Sequence, residues 1–118
     1  MASWQSGDVI RVWDHLTRPP KLKWHVCVCP EKLLFFRINS RPYFPPHLLI
    51  RASEAEFLDH DSYVELGQLI QLRVDPVERA ELLGFLSREQ KRSIVAAIER
   101  GGWLSEDWVE FVRDRFDL

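Results

Sequence analysis

Trp24-His25-Val26-Cys27-Val28-Cys29-Pro30-Glu31-Lys32-Leu33-Leu34-Phe35-Phe36-Arg37-Ile38-Asn39-Ser40 reads as two apolar strands joined by a tight Pro-Glu-Lys turn. Lys23 flanks the pair on one side and Asn39-Ser40 on the other. Ahead of this hairpin, Gly7-Asp8 opens an entry strand, Val9-Ile10-Arg11-Val12-Trp13. Period-two alternation puts Val9, Arg11 and Trp13 on one face, with Ile10 and Val12 on the other. Residues 14–23 lose that period and carry Pro19-Pro20 among basic residues, which predicts a loop that is mobile in the free protein.

After the hairpin, Arg41-Pro42-Tyr43-Phe44-Pro45-Pro46 cannot be a central strand, because its prolines have no N–H to donate. His47–Arg51 is the next expected strand. Ser53-Glu54-Ala55-Glu56 has a capping-box pattern and predicts a helical turn over 54–58. Residues 61–65 and 68–74 read as short strands separated by Gly67. Pro76 ends that series, and the chain is expected to turn helical from there. Ser87 with Gln90 caps one helix, Gly101-Gly102 stops it, and Ile94, Val95, Ala97 and Ile98 form its apolar stripe. Ser105, followed by Glu106 and Asp107, starts a second helix over 105–117 with Trp108, Val109, Val112 and Phe116 on one face. Strands followed by helices predict a mainly β, α+β fold. It is a small barrel over about 7–75 with a helical part over 77–118, within one domain of residues 1–118.

The 118 residues suffice for a single core, and 46% hydrophobic with 29% charged residues is ordinary for a globular protein. Net charge is −2, so the whole molecule is no polyelectrolyte. Its distribution is uneven: residues 1–51 hold eight Lys/Arg against three acids, and the remainder is net acidic. That asymmetry suits an anion-binding front half or two halves that neutralise each other. The N-terminus lacks the apolar run of a signal peptide, and no stretch has the ~20 apolar residues of a membrane span. Cys27 and Cys29, at i and i+2 of a strand, lie roughly 6.5–7 Å apart, which is unsuitable for a disulfide. Reduced thiols and a cytoplasmic location follow as expectations.

His25, Cys27 and Cys29 share a strand face, but the usual Cys-x-x-Cys metal knuckle is absent, and the two cysteines read as small buried hydrophobes. Neither a metal nor a cofactor is expected. A second group is cationic: Lys21, Lys23, Arg37, Arg41 and Arg51, accompanied by His47, Tyr43 and Phe44. Such groups can hold single-stranded RNA, with phosphates on the cations and bases on the rings, or can form an ordinary solvated surface. His15, His25, His47 and His60 could each act as acid or base near neutral pH, though no pair has a spacing that demands it.

Taken together, Gly7–Val12, Lys23–Pro30, Asp61–Glu65 and Leu82-Leu83-Gly84-Phe85-Leu86-Ser87-Arg88-Glu89-Gln90 resemble the MazF/PemK-like toxin superfamily over about residues 7–100. The resemblance implies an SH3-like barrel, a homodimer, and a toxin held by an antitoxin protein. It also implies metal-independent endoribonuclease cleavage of single-stranded RNA through the ribose 2′-hydroxyl. Carried over by position, the family's Arg falls on Lys23 and its Thr/Ser near Asn39-Ser40. The family's Arg-Pro is Lys23-Trp24 here, and a lysine keeps the charge but loses the bidentate fork. The implied catalytic set is Lys23 as phosphate cation, Ser40 as donor and His47 as acid/base. Lys21, Arg37, Asn39, Arg41, Tyr43 and Arg51 would contact RNA. The alternative is a barrel of this ancestry that has lost catalysis and binds nucleic acid or protein.

Overall fold

The computed structural model describes residues 3–118. The hairpin forms as the alternation predicts, with β2 (Lys21–Cys29) antiparallel to β3 (Leu34–Asn39). In the turn between them Leu33 takes a left-handed φ of 57°, and its N–H donates to the Pro30 carbonyl at 3.2 Å. β1 (Asp8–Asp14) runs along the other edge of β2, placing Ile10 opposite His25 and Val12 opposite Lys23.

The sheet is antiparallel throughout. With β4 (His47–Ile50), β5 (Ser62–Glu65) and β7 (Glu81–Phe85), its order is β4-β5-β3-β2-β1-β7. β6 (Ile70–Gln71) pairs with the start of β3, and β5 pairs with its end. The two therefore act as one strand interrupted around Gly67. Among the described residues the α-helices are α1 (Val74–Glu78), α2 (Arg88–Gly101) and α3 (Glu106–Arg115). None is long and apolar enough to cross a membrane.

Several local expectations change. The capping-box pattern at 53–56 yields only a 3-10 turn at Ala52–Glu54, with no side-chain cap. There the Asp61 carboxylate accepts from the Ala52 N–H at 2.8 Å and Ala55 is buried, so long-range contacts pin the segment before a helix can propagate. The strand expected over 68–74 shrinks to Ile70–Gln71, and helix α1 begins at Val74. Pro76 sits in the first turn of that helix, where its missing N–H costs nothing. The stretch expected to be helical from 77 instead contributes β7, which pairs with β1 and completes the sheet. The caps of the longer helices form as expected. Ser87 and Gln90 make a reciprocal capping box, Gly102 ends α2 in the left-handed conformation, and Ser105 caps α3.

The sheet is buried on both faces. One face carries Val9, Val26, Val28, Phe36 and Ile38, covered by Ile94, Val95 and Ile98 of α2 and by Val109, Val112 and Phe116 at α3. The opposite face carries Ile10, Val12, Cys27 and Phe35, closed by Ile70, Leu72 and Val77. Trp4 packs there too and donates its indole N–H to the Val77 carbonyl at 2.8 Å. Further along the same strands, this second face stops being apolar. That change positions the site.

Candidate functional site

On β1, Asp14 continues the inward phase of Ile10 and Val12. On β2, His25 and Lys23 continue that of Cys27, and on β3, Arg37 and Asn39 continue that of Phe35. Glu65 at the end of β5 joins them. The alternation that builds the apolar core thus delivers six polar side chains to one end of one face. Asp14 and His25 are fully buried, and Asn39 and Glu65 nearly so.

Their contacts close a ring. The Lys23 ammonium donates to Asn39 Oδ1, and Asn39 Nδ2 donates to Glu65 Oε2 at 3.0 Å. Arg37 bridges two carboxylates, with Nη1 3.6 Å from Glu65 Oε2 and Nε donating to Asp14 Oδ2 at 2.8 Å. His25 Nε2 lies 2.9 Å from the same Asp14 oxygen, and Nδ1 lies 2.9 Å from the Lys23 carbonyl. Asp14 also accepts the Leu16 N–H at 2.9 Å, which anchors the loop that follows β1.

Burial alone would push the Asp14 carboxyl up. The hydrogen bonds from His25, Arg37 and the Leu16 N–H outweigh it and hold this group well below the usual carboxylate range. Burial lowers the His25 pKa, opposed by Asp14 and by the Lys23 carbonyl, since only the doubly protonated ring satisfies both acceptors. Burial also lowers Lys23, and repulsion from Lys21 and Arg37 adds to it. Lys23 is therefore easier to deprotonate than an exposed lysine.

Above the ring opens a cleft of about 440 Å³. Lys23, Arg37, Asn39 and Glu65 floor it, and Lys21 lies at its edge. Leu16, Thr17 and Arg18 of the β1–β2 loop line it as well, as do Tyr43 and Phe44 of the segment after β3. The two rings are 58% and 63% exposed, and their centroids lie 6.3 Å apart. Flanking prolines hold this segment out of the sheet, so its aromatics stay uncovered.

Of the residues the sequence singled out, Lys21, Lys23, Arg37, Asn39 and Tyr43 line this cleft. Ser40 is exposed and lines a neighbouring cleft instead. His47 is exposed, packs edge-on against Tyr63 at 5.1 Å, and lines neither. Arg41 and Arg51 are exposed and also line neither. Arg37 reaches the cleft with its charge already shared between Asp14 and Glu65. Sequence reading missed Asp14, Glu65 and Arg18, and it grouped His25 with Cys27 and Cys29 rather than with Asp14. The signal was available in the strand phase, since charged residues in phase with buried Ile10, Cys27 and Phe35 must find partners inside.

Cys27 and Cys29 are free and buried. Burial pushes the Cys27 thiol up to about 12, so it behaves as a small core side chain rather than a nucleophile. Among the described residues, no group of three or more His, Cys, Asp or Glu side chains is placed to hold a metal ion. No protein-family model matches the chain, and no curated protein matches it in sequence.

Proposed function

We infer that the cleft floored by Lys23 and Asn39 binds single-stranded RNA. The observation that carries this reading is that Arg18, Lys21 and Lys23 line one opening together with the exposed rings of Tyr43 and Phe44. Cations take phosphates, and aromatic faces take unpaired bases, which expose both groups at once. Among the described residues these three cations make no ion pair with a carboxylate. Their charge is therefore available to a ligand, whereas that of Arg37 is not.

A second reading, strand cleavage, is favoured by the state of Lys23. In that reaction the ribose 2′-oxygen attacks the adjacent phosphorus as its proton is removed. The 5′-oxygen leaves with a proton, and a 2′,3′-cyclic phosphate remains. Lys23 would neutralise the non-bridging oxygens, and its lowered pKa suits it to exchanging a proton as well. Asn39 would act through Lys23, because its amide oxygen accepts from the Lys23 ammonium and Glu65 fixes its amide group.

Both readings accord with a MazF/PemK-like, SH3-like barrel of toxin type. The antiparallel strand path and its two-sided core support that architecture. On this view the partners are RNA, a second copy of the chain and an antitoxin, and two free cysteines suit a cytoplasmic setting. The test is to titrate purified protein into labelled single-stranded RNA and to follow cleavage on a gel, with Lys23→Ala beside it. Binding should weaken about tenfold or more in the variant, from loss of a charged hydrogen-bond donor. Any cleavage should vanish with it and with 2′-deoxy substitution of the RNA. Equal binding by Lys23→Ala would refute the assignment.

A further inference from the structure

β4 is an end strand of the sheet, and among the described residues no strand pairs with its outer side. Its ladder to β5 fixes which backbone groups face outward. The Leu66 N–H donates to the Pro46 carbonyl at 2.9 Å, and His47, Leu48, Leu49 and Ile50 stand opposite Glu65, Val64, Tyr63 and Ser62. Hydrogen-bonded pairs alternate along an antiparallel ladder, so Leu48 and Ile50 bond to β5. His47 and Leu49 therefore turn their N–H and C=O groups away from it. Among the described residues these outward groups have no backbone partner. Leu49 is 39% exposed, and His47 is exposed as well.

A cleft of about 300 Å³ opens along this edge, lined in succession by Leu48, Leu49 and Ile50. Side chains on a strand alternate between faces, so three neighbours in a row place the cleft beside the backbone edge. Glu54 of the 3-10 turn lines it too, as do Ser87, Glu89, Gln90 and Ser93 at the start of α2. Leu48 and Ile50 pack in the same cluster as Ile94, Val95 and Ile98, so their side chains mark the α2 side of β4. No lysine or arginine lines the cleft. Glu54 and Glu89 are exposed and form no ion pair among the described residues.

We propose that this cleft takes a basic extended peptide, which adds to β4 as a further strand. The peptide main chain pairs with the outward groups of His47 and Leu49, and a lysine or arginine on its α2 side meets Glu54 and Glu89. Main-chain pairing accepts any extended chain, and the two carboxylates select the sign of its charge. The same carboxylates disfavour RNA here. They also disfavour a second copy of this chain, whose β4 edge would bring two more of them. β4 has only four residues, and short edges resist self-pairing. The cleft shares no lining residue with the one over Lys23, so the proposal does not rest on the RNA-binding reading.

Anisotropy of an end-blocked, fluorescein-labelled heptapeptide alternating lysine and valine tests it. A peptide with glutamate for lysine and a form N-methylated at every residue serve as comparisons. Wild type should bind the lysine peptide and neither of the others. Glu54→Gln combined with Glu89→Gln should weaken binding severalfold, the scale of two exposed ion pairs. Leu49→Pro deletes an outward N–H and leaves the β5 ladder intact. It should weaken binding about twofold to tenfold, the scale of one hydrogen bond. Circular dichroism checks that each variant folds, and if Leu49→Pro does not, the N-methylated peptide decides the same question. The proposal is overturned if the lysine peptide does not bind, or if the glutamate or the N-methylated peptide binds equally well. A wild-type dimer in sedimentation that Leu49→Pro dissociates would assign the edge to a second copy and overturn it too.

Discussion

Asp14 accepts hydrogen bonds from His25, Arg37 and the Leu16 N–H with none of its side chain exposed. Its carboxyl titrates well below the ordinary carboxylate range when folded, and near ~3.9 when unfolded. The unfolded chain therefore binds the proton first as the solution is acidified. The stability Asp14 contributes is complete above the unfolded value and is lost as pH falls toward the folded one. Asp14→Asn should remove part of the acid sensitivity of the melting temperature between about pH 5 and pH 3. At neutral pH the same variant should cost about 3–5 kcal/mol, because His25 and Arg37 lose the carboxylate that justifies burying them. Urea midpoints at neutral pH and melts across the acid range measure both. An Asp14→Asn protein with wild-type acid sensitivity would show that the buried carboxylate is not what titrates. Asp14 was read as the start of a loop, and only the register with β2 and β3 reveals its partners, 11 and 23 residues away.

β7 shows what local pattern conceals and what packing demands. Glu81–Phe85 alternates weakly, contains a glycine and runs into the capping box of α2, so nothing local marks it as a strand. Its pairing with β1 and the seat of Phe57 against Gly84 make it one. A Cβ built on Gly84 would stand 2.9 Å from Phe57 Cδ1, closer than real Cβ atoms come, and 3.0 Å from Phe57 Cβ, tighter than most of them. Replacing a glycine by alanine gains about 0.4–1 kcal/mol from the unfolded chain, and overpacking costs about 1–3 kcal/mol. Gly84→Ala should therefore destabilise, by about 1–2 kcal/mol in urea unfolding. Trimming the ring with Phe57→Leu in the same chain should recover part of the loss. A Gly84→Ala protein as stable as wild type would mean that β7 and Phe57 separate freely. The hairpin, by contrast, was legible from its alternation, as were α2 and α3 from their caps, because the stabilising contacts there lie within a few residues. The polar ring was legible only as polar residues in phase with buried ones along single strands; which of them meet depends on how β1, β2, β3 and β5 pair.

Charge on the whole molecule nearly cancels, so long-range attraction to a polyanion must come from where the cations gather. Arg18, Lys21 and Lys23 gather at one cleft, while Arg11 sits on the opposite sheet face and is paired with Glu81. For single-stranded nucleic acid, each phosphate neutralised lowers the slope of log affinity against log salt by about 0.7. Three cations predict a slope near −2, and removing one should shift it toward zero by about 0.7. Lys21→Ala should produce that shift in anisotropy titrations at several salt concentrations. Arg11→Ala should weaken nothing, although it removes the same formal charge from the same basic half of the chain. The contrast separates a site from a net charge. If both variants moved the slope equally, RNA would be held by the diffuse field of residues 1–51, and the cleft would have no claim to it. If Lys21→Ala alone moves it, the uneven charge seen in the sequence acts through one opening, over one lysine held in place by a buried ring of partners.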